Sequence, residues 1–119
     1  MMGGAAPSRL ADVLELIEWR RPLDELVVVL ANYPWDYEGP TVKLCVGHVR
    51  GALTKYLEGR VTAKNVEDWA DAIELRDDID YEREHEEVLA EVMHELANPV
   101  LTETLTPERA RQLHKLLDI

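Results

Sequence analysis

Thr41-Val42-Lys43-Leu44-Cys45-Val46-Gly47-His48-Val49-Arg50-Gly51-Ala52-Leu53-Thr54-Lys55-Tyr56-Leu57-Glu58-Gly59 is the most regular stretch of the chain. Val42, Cys45, Val46, Val49, Leu53, Tyr56 and Leu57 recur on one helical face, and Gly59 supplies a stop, so the spacing predicts a central amphipathic helix from Thr41. Gly47 and Gly51 project from the other side. An exposed glycine in a helix costs ~1 kcal/mol relative to alanine, so the pair predicts close approach by a second element, with a thin surface kept for a partner as the alternative.

Outward from this stretch the pattern stays helical. Thr62 is a good cap for a helix burying Val66, Trp69, Ala70 and Ile73 and ending near Asp77-Asp78. A further helix is expected from about Glu82 to Ala97, burying Val88, Leu89, Val92, Met93 and Leu96 until Asn98-Pro99 breaks it. Thr106-Pro107-Glu108 is a cap, a proline at the first helical position and a first-turn acid, ahead of Ala110, Leu113, Leu116 and Leu117.

Toward the N-terminus, Ser8 can cap a helix carrying Leu10, Val13, Leu14 and Ile17, which Pro22 ends. The segment 23–32 fits two states. Leu23, Leu26, Val27 and Leu30 make a helix face, whereas Val27-Val28-Val29 would suit a short buried strand; we read helix. The fold class is therefore all-α, a single-domain bundle of five or six helices over 8–119 behind a flexible N-terminus, 1–7.

At 119 residues, with 46% apolar and 31% charged side chains, the chain can bury one core without disulfides or metal. A lone cysteine, Cys45, excludes an internal disulfide and suggests a reducing, cytoplasmic setting. Met1 to Pro7 lacks the basic and apolar regions of a signal peptide. The longest apolar run, Leu26 to Ala31, is far short of the roughly 20 residues a spanning helix needs.

Charge is distributed unevenly. Glu67 to Glu91 holds twelve of the 24 acids against only Arg76 and Arg83, and so carries nearly all of the formal net charge of −11. Such a field attracts cations and basic surfaces and repels nucleic acid and anionic membranes. On a wheel of about 100° per residue, Glu67, Asp71, Glu74 and Asp78 form one ridge on the Thr62 helix, with no lysine at a matching position to relieve it. Asp77, Asp80 and Glu82 extend the field. Trp35 and Asp36, in the proline-bounded loop Tyr33 to Pro40, pair an aromatic with an acid as an interface for a basic partner would, although Trp35 could equally plug the core.

Metal and catalytic readings fail on spacing. Asp78, Asp80 and Glu82 begin like a calcium loop, but Arg83 stands where glycine is required and Leu89 where a bidentate acid is required. Glu82-x-x-His85 and Glu91-x-x-His94 point in opposite directions on one helix, against a dinuclear site. Cys45 and His48 are one turn apart, but a cysteine on the apolar stripe is not easily ionised. Glu15-x-x-Glu18 and Glu84-x-x-Glu87 resemble the magnesium helices of all-α nucleotide pyrophosphohydrolases, without the second Glu-x-x-Asp those enzymes need. No cofactor or metal is expected.

The run from Gly51 through Tyr56, Gly59, Thr62, Trp69 and Ala70, followed by Ile73-Glu74-Leu75-Arg76-Asp77-Asp78-Ile79 and Leu96-Ala97-Asn98-Pro99, resembles a family of small acidic bacterial proteins without established function. Its helix-Gly-turn-helix opening is also similar to the colicin-immunity-like proteins, helical inhibitors that block a cognate toxin in the producing cell. That resemblance implies a non-enzymatic protein docking its acids on a basic, nuclease-like toxin domain. The alternatives are a magnesium-dependent nucleotide hydrolase, or a structural subunit that pairs through the Gly47–Gly51 face or the tryptophan loop.

Overall fold

The run from Thr41 divides into two elements. In the computed structural model, which describes residues 9–34 and 37–119, Val42–Leu44 is a strand, β1, and the helix, α3, begins only at Val46 and ends at Leu57. The other helices are α1 (Arg9–Glu18), α2 (Leu23–Leu30), α4 (Ala63–Glu74), α5 (Glu86–Ala97) and α6 (Pro107–Leu116), and a second strand, β2, spans Ile79–Tyr81. The domain is thus the expected helical bundle, with six α-helices among the described residues, plus a two-stranded sheet that periodicity did not foretell. Segment 23–32 resolves as helix over Leu23–Leu30. Met1 to Pro7, the Ser8 cap, Trp35 and Asp36 lie outside the described residues.

The strands pair in parallel, Val42 with Ile79, Lys43 with Asp80 and Leu44 with Tyr81. Parallel neighbours need a long crossover, which α3 and α4 supply. The pairing corrects three boundaries. Val42 belongs to the sheet, the Thr62 helix stops at Glu74, and the expected helix from Glu82 starts at Glu86 after a 3-10 turn over Arg83–His85.

Local chemistry explains the ends. Thr62 Oγ1 accepts the Asn65 amide at 3.0 Å while Asn65 Oδ1 accepts the Thr62 amide at 2.9 Å, a reciprocal cap for α4. Thr106 Oγ1 accepts from Arg109 N at 3.1 Å, with Pro107 in the first turn of α6. Gly59 ends α3 at a φ of +77°, with its amide on Tyr56 O and that of Arg60 on Lys55 O. The same closure ends α1, but there Trp19 occupies the left-handed position, at a φ of 50°. A non-glycine residue there costs roughly 1–2 kcal/mol. Trp19 offsets this by stacking on Trp69, with centroids 5.4 Å apart, while Trp69 Nε1 donates to Leu16 O at 2.8 Å.

One core holds the bundle together. α4 packs on α5, α3 on α6 and α1 on α2, burying Leu16, Ile17, Leu26, Leu44, Leu53, Ile73, Leu89, Met93 and Leu113 around Trp69. Gly47 and Gly51 are a correction: both are exposed, and among the described residues a Cβ at either would meet nothing within 4 Å, so no described element approaches them.

Candidate functional site

The expected acidic ridge does not survive as one surface. Asp78, placed on it by the wheel, sits past the end of α4 and is 0% exposed. Arg9 Nε donates to its Oδ2 at 2.7 Å, Arg76 Nε to Oδ1 at 2.8 Å and Arg76 Nη2 to Oδ2 at 3.0 Å. Burial opposes the Asp78 charge, but the hydrogen bonds from Arg76 and Arg9 outweigh it and hold the carboxyl below its ordinary value. Arg9 also donates to Pro34 O at 2.9 Å and lies 4.3 Å from the Tyr37 ring centroid, so this ion cluster ties the start of α1 to the loop after α2.

The remaining acids scatter by role. Glu82 Oε1 accepts the Val46 amide at 3.1 Å and thereby caps α3. Asp80 is exposed on β2 and accepts from Thr41 Oγ1 at 2.7 Å. Glu74 faces α5, with Asn98 Nδ2 at 3.4 Å and His94 Nδ1 at 3.8 Å. Lys64 lies 3.5 Å from Glu67 and 3.2 Å from Asp68, so a lysine does relieve the helix. Burial pushes the Asp71 carboxyl up, and the charges of Glu67 and Asp68 add to the shift.

Asp71 and Asp77 do come together, on the other flank of α4. Between α2 and α4 runs a groove whose deeper part, about 260 Å³, is lined by Val27, Leu30, Ala72 and Leu75, with Arg9, Arg76, Asp71 and Asp77 at its edge. A shallower, more open part of about 770 Å³ shares Val27, Asp71, Ala72 and Leu75, and adds Asp24 and Asp68. Its walls are apolar and wet. Val27 is 46% exposed, Leu75 64%, and Val28 beside them on α2 68%. Val27 and Leu75 thus leave apolar surface in contact with water along the groove.

Of the groove residues, Val27, Leu75, Asp24 and Asp68 were the ones that sequence reasoning missed as a site. A signal existed: Val27-Val28-Val29-Leu30 is apolar on every side of a two-turn helix, more than one core face can bury. Asp68 escaped because the wheel places it off the ridge, toward α2.

Other candidates resolve plainly. Cys45 is not on the apolar stripe but precedes α3, half-buried, and burial followed by the Glu82 carboxylate pushes its thiol up, away from nucleophilic chemistry. Its amide donates to His48 Nδ1 at 2.9 Å. Glu15 is bound to Arg21 at 3.1 Å and Glu18 to Arg20 at 2.7 Å, so the first acid pair is already engaged. Carboxylate oxygens of Glu67, Asp68 and Asp71 lie within 4.8 Å of one another, a spacing that clustered acids on a helix face produce without an ion. No helix is long and apolar enough to cross a membrane among the described residues. Compared with protein-family models, curated proteins and solved structures, the chain finds no match.

Proposed function

We propose that this chain is a non-enzymatic binding protein whose α2–α4 groove receives a basic, amphipathic surface of another protein. The observation that carries this reading is the pairing of exposed Val27 and Leu75 with a rim of Asp24, Asp68, Asp71 and Asp77. Each half supports a different part of binding. Covering a half-exposed Val or Leu contributes about 1 kcal/mol, while the carboxylates select lysine and arginine and accelerate encounter by ~10–10³-fold at low salt. A cation brought to Asp71 would also relieve the repulsion from Glu67 and Asp68.

In biological terms this is the behaviour of an immunity protein in the cytoplasm, its acids occupying the phosphate-binding surface of a nuclease-like toxin domain. The similarity of the helix-Gly-turn-helix opening to colicin-immunity-like proteins motivates that form of the proposal. The test compares the parent chain with Asp68→Lys/Asp71→Lys and with Leu75→Asp as bait in extract of the native host. The parent should retain a basic protein, increasingly so as salt falls, and both variants should lose it at unchanged helical circular dichroism. Capture of no basic protein, or equal capture by all three baits, would remove the groove from the mechanism.

A further inference from the structure

In a chain of 24 acidic and 13 basic side chains, the cleft between α3 and α6 gathers several cations around one carboxylate. It is a recess of about 300 Å³ lined by Arg50 and Leu57 on one side and Arg111, His114, Lys115 and Asp118 on the other. Arg111 and Lys115 are exposed and make no ion pair among the described residues, although Glu108 stands one turn before Arg111. Among the described residues Arg50 pairs only with Asp118, at 3.8 Å from Nη1 and itself 72% exposed. Arg50 Nε is buried with no hydrogen-bond acceptor among the described residues.

The helix dipole accounts for His114 and Lys115, since cations are favoured in the last turn of α6. It does not account for the orphan donor of Arg50. A buried Nε–H without an acceptor, on an arginine side chain otherwise 36% exposed, requires an explanation.

We infer that this cleft binds a phosphate group, free or as the monoester of a small molecule, and that the Asp118 carboxylate stands where the phosphate would sit. Two arginines offer forked donors that match a tetrahedral dianion carrying several acceptor oxygens. Three fixed cations against one carboxylate leave an excess of positive charge that a dianion neutralises. His114 is held in place beside it, its Nε2 3.1 Å from Thr54 Oγ1. A discrete phosphate suits the surroundings better than a nucleic-acid strand, whose flanking phosphates would meet the negative field of the rest of the surface. Leu57 provides an apolar wall for the organic part of a monoester. The cleft shares no residue with the α2–α4 groove, so the inference stands independently of the proposed function.

The experiment is a two-dimensional NMR titration of the full chain, reading backbone amides and arginine Nε–H signals. Inorganic phosphate and phenyl phosphate are added in separate arms, with sodium chloride at matched ionic strength and pH as reference. Saturable shifts at Arg50, Arg111 and His114 are expected, tighter by at least threefold in Asp118→Asn. Affinity should be at least tenfold weaker in Arg111→Gln/Lys115→Gln, whose exposed sites leave the fold intact. Tighter binding of phenyl phosphate identifies a monoester ligand, and equal binding identifies free phosphate. Shifts that fail to saturate, that sodium chloride reproduces, or that persist in the double variant overturn the site.

Discussion

Replacing Asp78 by asparagine probes the most concentrated electrostatic feature of the fold. The substitution keeps the shape of the side chain and removes its charge, leaving Arg9 and Arg76, only 14% and 15% exposed, without a counter-ion. Removing one partner of a buried ion pair costs about 3–5 kcal/mol. The lower end applies here, because the amide oxygen can still accept one of the three guanidinium bonds and both arginines keep a path to water. A loss of about 3 kcal/mol is a large share of the roughly 5–15 kcal/mol that holds such domains together. With a urea dependence of about 1.5–2 kcal/mol per molar, the unfolding midpoint should fall by about 1.5–2 M.

The effect should also depend on pH in a definite direction. Asp78 titrates below its ordinary value of 3.8 in the folded state. Its contribution is therefore complete above that value and is lost as pH falls from there toward the folded pKa, so parent and variant should converge in acid. Exposed Asp80→Asn serves as the control and should stay within about 0.5 kcal/mol of the parent. Urea melts at pH 7 and pH 3 decide the matter: if Asp78→Asn matched the control at pH 7, the buried cluster would not be stabilising the fold.

Three further outcomes are expected. Gly51→Ala, at an exposed helical position with nothing within 4 Å, should stabilise by about 1 kcal/mol, whereas Gly59→Ala, at a φ of +77°, should destabilise by roughly 1–2 kcal/mol; thermal melts of the pair would show opposite signs. Burial lowers the His48 pKa below 6.5, and its Nδ1 accepts the Cys45 amide, so the unfolded chain binds the proton first and stability should decline as pH drops below about 6.5. His48→Gln retains an acceptor at that position and should flatten the decline in chemical melts between pH 7 and pH 5. Leu75→Gln, on a side chain 64% exposed, should leave the urea midpoint within about 0.5 kcal/mol of the parent, a result that separates the groove wall from the core.

What the sequence determined was local. Caps at Thr62 and Thr106, the stop at Gly59 and the 3.6-residue spacing of Val66, Trp69, Ala70 and Ile73 act within a few residues, so each could be read before any coordinate was known. Tertiary structure decided whatever joins distant segments. Val42-Lys43-Leu44 is too short to declare itself a strand, and becomes one because Ile79-Asp80-Tyr81 returns beside it after two helices. Asp78 looked like part of a solvated ridge until Arg9, 69 positions earlier, closed over it. The groove has the same origin, since Val27 and Leu75 are unremarkable aliphatics in sequence and become a site only where α2 lies against α4. Helical wheels assign a residue to a face, but which faces are buried is set by the neighbours, and those are long-range contacts.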